Sequence, residues 1–345
     1  MAKGEVTRLA EQFSKRIAAL EANAAAEMVS AYGSIWNTLS QELDILLEQI
    51  QGQQMSFAQV QKNKRYRQLL ANAQEQVNRF SVTAEGGIIQ TQRQASLLSQ
   101  SSTKSVVDAA LPSGIDTKVL AQAGIEWVRL PTQALESFVG MAGDGSPLAN
   151  LLAPLGQEAS IGVREGIREG IALGRGPRET ARLVRQKFGM PLTRSLAISR
   201  TETLRAFRES SRIQYAANSA VVKGWERHSA KDAEVCIACL ALDGKKYETQ
   251  QPIDEHINGR CAMLPVTITY EDLGLDVPET QERVETGREW FENQPNSVQR
   301  QMMGRSRYDA WKSGVLDMED MVHINHSVAW GDTAVVGTLA QTLSP

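Results

Sequence analysis

Residues 31–50 read AYGSIWNTLSQELDILLEQI, and their apolar positions Tyr32, Trp36, Leu39, Leu43, Leu46 and Ile50 step alternately by four and three. That period places all six on one seam of an α-helix that packs against a second helix. Upstream, Leu9, Phe13, Ile17 and Leu20 carry a similar stripe, so the pattern predicts a helix from about residue 5 to 50. Such a helix is on the order of 65 Å long. Gln51-Gly52-Gln53-Gln54 interrupts it, and Ser56 followed by Gln59 reads as a capping box. Tyr66, Leu69, Ala73, Val77 and Phe80 then line a return helix. Residues 1–80 are therefore expected to form a long helical hairpin, with a Gln-rich outer face suited to a large partner or to an oligomer.

Working outward, Glu85-Gly86-Gly87 reads as a break, and residues 81–150 as a connector with short helical pieces such as Thr117 to Trp127. From about Leu151 to Leu173 a helix carries Gly162, Gly166, Gly170 and Gly174 at every fourth residue. That stripe is costly unless another backbone approaches it closely. Gly174-Arg175-Gly176-Pro177 ends this helix and starts the next, which Gly189 closes. Another helix is expected from Leu192 to Ala217, carrying the polar triplet Arg200, Thr201 and Glu202 among apolar neighbours. The triplet reads either as an exposed turn with ordinary ion pairing or as a buried bracket holding the helix on a small sheet. After Asn218 the pattern turns to short strands, Val221–Arg227 and Lys245–Glu248, around a Cys-bearing turn.

Composition bounds the rest. The chain has 345 residues and a formal net charge of −3, and no segment matches the apolar length of a membrane span. The N-terminus lacks an apolar signal segment, which leads us to expect synthesis into a reducing cytoplasm. Charge is segregated: residues 161–215 hold twelve Lys/Arg against five acids, and residues 271–320 hold six against twelve. The basic run suits nucleic acid or an acidic protein surface, or the two segments face each other.

The three cysteines, Cys236, Cys239 and Cys261, fall within 26 residues, too few for a disulfide framework. Cys236-Ile237-Ala238-Cys239 supplies two thiols from one turn, and His256 and Cys261 follow on a second loop. Three thiolates and an imidazole complete the tetrahedral shell of a structural zinc; the plainer reading is three half-buried cysteines packed beside a turn. A thioredoxin-type pair is disfavoured because the motif has no βαβ setting and starts no convincing helix. His256 also admits a zinc-knuckled nuclease, which needs a further ligand such as His228, Asp254 or Glu255. His323 and His326, three apart, fit one helical face without a role.

Taken in order, Gly170–Gly174 with Pro177, Ile198–Thr203, Gly224-Trp225-Glu226-Arg227, Cys236–Cys239 with Leu242–Lys245, and His256–Cys261 resemble the phage Mu F-like minor head, or head morphogenesis, protein family over about residues 155–268. The family commonly reads His-Pro-x-Cys-Arg-Cys, where this chain has Ile257 for Pro and Gly259 for the first Cys. Loss of that Cys makes His256 the fourth ligand beside Cys236, Cys239 and Cys261 if zinc is bound. The chain as a whole is expected to be mainly α, with the N-terminal hairpin, a small α+β domain at 151–268 and an acidic helical C-terminal segment at 269–345. The resemblance implies a non-enzymatic virion component near the portal vertex, made in the host cytoplasm, with the portal protein, other head proteins and packaged DNA as partners and no membrane. Trp290, Phe291, Tyr308 and Trp311 are the aromatic anchors it would offer. The alternative is a virion-delivered nuclease.

Overall fold

The computed structural model describes residues 2–278, 285–327 and 330–342. It is mainly helical with a small antiparallel sheet region. No helix among the described residues is long and apolar enough to cross a membrane. The chain divides into two compact units: Ala19–Thr91 with Gly140–Glu202, and Met1–Ala18 with Gln92–Val139 and Thr203–Pro345.

Helix α1 (Ala2–Gly52) and helix α3 (Lys64–Ala110) are joined by the short α2 (Phe57–Lys62). Ser56 N–H donates to Gln59 Oε1 at 2.8 Å, as the capping box requires. Asn63 adopts an extended conformation that ends α2, and its Oδ1 accepts from Arg65 N–H at 2.8 Å, which satisfies a first-turn donor of α3.

In the unit of residues 19–91 and 140–202, the seam predicted from residues 31–50 meets the return helix. Tyr32 stands edge-on to Phe80 with ring centroids 5.1 Å apart, and Asn72 Nδ2 donates to both Glu42 carboxylate oxygens at 3.1 and 3.0 Å. Those pairings make α1 and α3 antiparallel. After α6 (Ala149–Leu152), α7 (Leu155–Ala172) packs on α8 (Pro177–Phe188) through its glycine stripe. A Cβ on Gly166 would lie 2.7 Å from Val184 Cα, and one on Gly162 would lie 2.8 Å from the Lys187 carbonyl oxygen. Phe188, at the end of α8, lies 5.0 Å from the Tyr32 ring and accepts the Tyr32 hydroxyl on its carbonyl at 2.6 Å.

The expected break at Gly86-Gly87 is not there: α3 runs unbroken to Ala110. Two mid-helix glycines cost roughly 1 kcal/mol each relative to alanine. The buried Ala84, Ile88, Thr91 and Ala95 that flank them outweigh that cost by packing.

The other unit is built on the C-terminal part of α3, the short helices α4 (Thr117–Gln122) and α5 (Thr132–Leu135), the later part of α9 (Met190–Ala217), and everything that follows. Strands β1 (Val222–His228), β2 (Lys246–Tyr247) and β3 (Ala262–Thr267) form an antiparallel sheet in the order β2-β1-β3, with α10 (Ile237–Leu242) between β1 and β2 in sequence. Trp225 stacks on Tyr247 at 4.3 Å and packs with Val107, Leu111, Leu120, Tyr215 and Met263.

The C-terminal segment departs from the helical expectation. Helices α11 (Gly287–Glu292), α12 (Asn296–Met303) and α13 (Arg305–Lys312) are followed by a hairpin of β4 (Val322–Ser327) and β5 (Gly331–Val336), then the short α14 (Leu339–Thr342). His323 and His326 therefore lie on a strand, not on a helical face. The aromatic anchors are also largely withdrawn. Phe291 is fully buried with Met303, Met318 and Met321, while Trp290, Tyr308 and Trp311 pack against that cluster.

The glycine stripe yields a test of opposite signs. Gly166→Ala is expected to destabilise the protein by about 1–3 kcal/mol through overpacking. Gly86→Ala, at a position with no atom within 4 Å of the added methyl, is expected to stabilise by about 0.5–1 kcal/mol. Urea denaturation of both variants reads the two signs.

A candidate metal centre

Cys236 is the N-cap of α10, and its Sγ accepts from the Cys239 backbone N–H at 3.4 Å. The Cys-x-x-Cys therefore does open a helix, contrary to the sequence reading, and one helical turn sets both thiols on the same side. His256 comes from the loop before β3. There Asn258 takes a left-handed conformation at φ 62°, and Gly259 N–H donates to the His256 carbonyl at 2.8 Å. Asparagine tolerates that conformation better than most residues. Cys261 follows immediately before β3.

These two loops meet. His256 Nε2 lies 3.4 Å from Cys236 Sγ and 3.3 Å from Cys239 Sγ. Cys239 is shared with a second group, Glu255 and Cys261, whose donor atoms all lie within 4.8 Å of one another. All four predicted ligands thus gather around Cys239. Cys239 and Cys261 are both 3% exposed, while Cys236 and His256 are partly buried at the edge of the cluster.

Three features hold the loops in place. Arg208, buried on α9, donates through Nε to the Cys261 carbonyl and through Nη2 to the Gly259 carbonyl, both at 2.8 Å. Arg260 makes a two-pronged pair with Asp232 at 2.7 and 2.6 Å, tying the histidine loop to the segment that leads into Cys236. Ala334 N–H on β5 donates to the Asp254 carbonyl at 3.1 Å, so the C-terminal hairpin braces the same loop. Behind α10, the buried carboxylate of Asp243 accepts from Ser229 N–H and Gly287 N–H at 2.6 and 2.8 Å, which joins α11 to this region.

The electrostatics are those of a low-dielectric site. Glu255 pairs through Oε2 with Arg227 Nη2 at 2.9 Å, the side chains being 5% and 2% exposed. Burial pushes the Glu255 carboxyl up, but Arg227, Arg208 and His256 outweigh it and hold it below the usual range. The contact with Cys239 and the nearby negative charges push His256 up to about 9 despite burial. Cys236 is held below an ordinary thiol by hydrogen bonding from Cys239, whereas hydrogen bonding to Cys239 and burial push Cys261 well up. Soft sulfur donors with an imidazole, gathered from two loops and buried, fit zinc.

The triplet Arg200, Thr201 and Glu202 is not at this centre. It lies in the other unit, where Arg200 Nε approaches Glu21 Oε2 on α1 at 3.5 Å and Glu202 is fully buried. The bracket therefore joins helix to helix rather than helix to sheet. Sequence reading assigned no role at the centre to Arg208 or Arg227, and weighed Glu255 only as a nuclease ligand. Arg227 carries a signal in retrospect: it shares a face of β1 with the buried Trp225, two residues away.

Arg208→Met, which keeps the apolar stem but leaves the Gly259 and Cys261 carbonyls without their donor, is expected to cost about 2 kcal/mol by urea denaturation.

No curated protein and no solved structure matches the chain. Residues 162–264 match the family model described as Phage Mu protein F like protein. That segment runs from within α7 to within β3 and contains the whole Cys/His constellation. This part of the chain is a phage Mu F-like domain.

Proposed function

We propose that the protein is a minor head protein: a virion component made in the host cytoplasm, docking at or near the portal vertex, and assisting head assembly and DNA packaging or ejection. The observation that carries this reading is the match of residues 162–264 to the Mu F-like family. Its role is structural rather than catalytic. One zinc held by Cys236, Cys239, His256 and Cys261 staples the two loops, and a shell closed by protein donors leaves no position for a reacting water. The His256 ring is engaged by two thiols, which supports this over nuclease chemistry.

Two surfaces suit the partners. Gln41, Gln51, Gln53, Gln54, Gln59 and Gln61 are exposed along the hairpin and its turn, a polar face for the portal or for a second copy of this chain. On α8, Arg178, Arg182 and Arg185 are exposed at helical spacing and have no ion-pair partner among the described residues. Elsewhere in the basic run Arg164 and Arg168 share Glu165, Lys187 holds Glu169, and Arg194 meets Glu158. The α8 stripe is what remains for packaged DNA.

The direct test is co-purification of the intact chain with an assembled portal ring. The chain is expected to sediment with the ring, and a chain that stays in solution under assembly conditions overturns the reading. Metal analysis is expected to find one zinc per chain in the wild type and none in Cys236→Ser, with the domain losing its cooperative unfolding transition. Metal-dependent DNA cleavage that vanishes in His256→Ala would replace the structural role with the nuclease. If DNA is a partner, replacing Arg178, Arg182 and Arg185 together by alanine is expected to flatten the salt dependence of DNA binding by up to about three units of log–log slope.

A further inference from the structure

Glu255 stands in one group of donor atoms with two of the predicted ligands, Cys239 and Cys261. Glu255 divides its carboxylate: Oε2 takes the Arg227 ion pair at 2.9 Å, while Oε1 faces the thiols, 3.6 Å from Cys239 Sγ and 3.5 Å from His256 Nε2. Ligand atoms bound to one zinc at about 2.0–2.3 Å are separated from each other by roughly 2.8–4.0 Å along the edges of a five-coordinate shell. The contacts Cys236–His256 at 3.4 Å, Cys239–His256 at 3.3 Å, Cys239–Glu255 at 3.6 Å and His256–Glu255 at 3.5 Å all fall in that interval. These four pairs stand at ligand-to-ligand spacing, and Cys261 joins Cys239 and Glu255 in a group whose donor atoms all lie within 4.8 Å of one another.

The surroundings accommodate the acid specifically. A Cβ at residue 259 would fall 1.9 Å from Glu255 Oε1, so the carboxylate occupies the space that any side chain at Gly259 would fill. Charge agrees with geometry. With Cys236, Cys239 and Cys261 as thiolates and Glu255 ionised, four negative charges meet in a buried place. Arg227 and Arg208, both of which act on Glu255, supply two positive charges, and a divalent ion supplies the other two. Without such an ion, a carboxylate beside thiolates is repulsive in low dielectric.

We propose that Glu255 is a direct metal ligand through Oε1, making the centre a five-donor site of three sulfurs, one imidazole nitrogen and one carboxylate oxygen, with Arg227 holding the other oxygen. The proposal rests on the metal reading above and extends it to a residue outside the Cys/His set. Glu255 acts as ligand and Arg227 as the positioning residue behind it.

The experiment is zinc X-ray absorption on the intact, zinc-loaded chain, together with competition against a chromophoric chelator, for the wild type, Glu255→Gln, Glu255→Ala and Cys236→Ser. The expected wild-type shell is three sulfurs and two light atoms. Glu255→Ala is expected to lose one light atom with all three sulfurs kept, and both Glu255 variants are expected to bind zinc at least about tenfold more weakly. Glu255→Gln keeps the shape and the contact to Arg227, so it reads the donor change where the alanine variant folds poorly. A wild-type shell with a single light atom, or Glu255 variants with an unchanged shell and unchanged affinity, overturns the proposal and leaves the zinc reading standing. A wild-type chain that takes up no zinc overturns both. Cys236→Ser, expected to lose a sulfur, shows that the measurement resolves one ligand.

Discussion

A guanidinium and a carboxylate 2.9 Å apart, with side chains 2% and 5% exposed, are the constraint around which the α+β unit is arranged. Taking such a pair out of water costs several kcal/mol per ion and is tolerated only with close geometry and further partners. The surrounding elements supply them. Strand β1 presents Arg227 beside Trp225, α10 places Cys239 within 3.9 Å of the guanidinium, and α9 sends Arg208 to the carbonyls of the ligand loop. Each contact comes from a different stretch of chain, so the Arg227–Glu255 pair converts a set of short elements into one core. A three-stranded sheet of which one strand has only two residues would otherwise have little to hold it together.

The C-terminal segment belongs to the same arrangement. Its Phe291, Met303, Met318 and Met321 share a cluster with Cys239, Leu240 and Cys261, and β5 pairs with the loop at Glu255 through Ala334. Asp243 connects Ser229 at the end of β1 to Gly287 at the start of α11, where a Cβ would lie 2.5 Å from the Leu240 carbonyl oxygen. The acidic surplus of residues 271–320 is locally compensated in part, since Arg288 bridges Asp317 and Glu319. The segment is a wall of the Cys/His cluster and not an appendage, which is why its aromatics are spent on packing.

What could be read from the sequence had a short period or a short reach. The heptad seam of residues 31–50, the capping box at Ser56 and the glycine stripe of α7 are patterns in which each residue predicts its own neighbour, and all three stand. The Cys/His pairing was legible because ligand spacing on two loops is itself a local pattern. Gly86-Gly87 misled because propensity is a weak force against an apolar stripe that continues on both sides of it. β4 was missed because Val322-His323-Ile324-Asn325-His326 alternates only briefly and its partner strand supplies the rest. Glu255 was legible only as one of several groups near His256 that a metal could use; its burial against Arg227, 28 residues earlier, depends on a pairing that no local pattern encodes.

With Phe291 inside and Trp290, Tyr308 and Trp311 laid over the same cluster, the aromatics of this segment are committed to packing. Aromatic anchors normally dominate a docking interface by filling pockets. Here Lys312 stands 4.5 Å over the Trp311 ring and 5.6 Å from that of Tyr308, further occupying those faces. The exposed glutamines of the helical hairpin donate and accept hydrogen bonds without net charge, and the α8 arginines add fixed positive charge. A partner meeting surfaces of that composition would gain specificity from matched hydrogen bonds and speed from charge, and individually weak contacts would call for many copies or a long contact line. A long helical hairpin offers such a line.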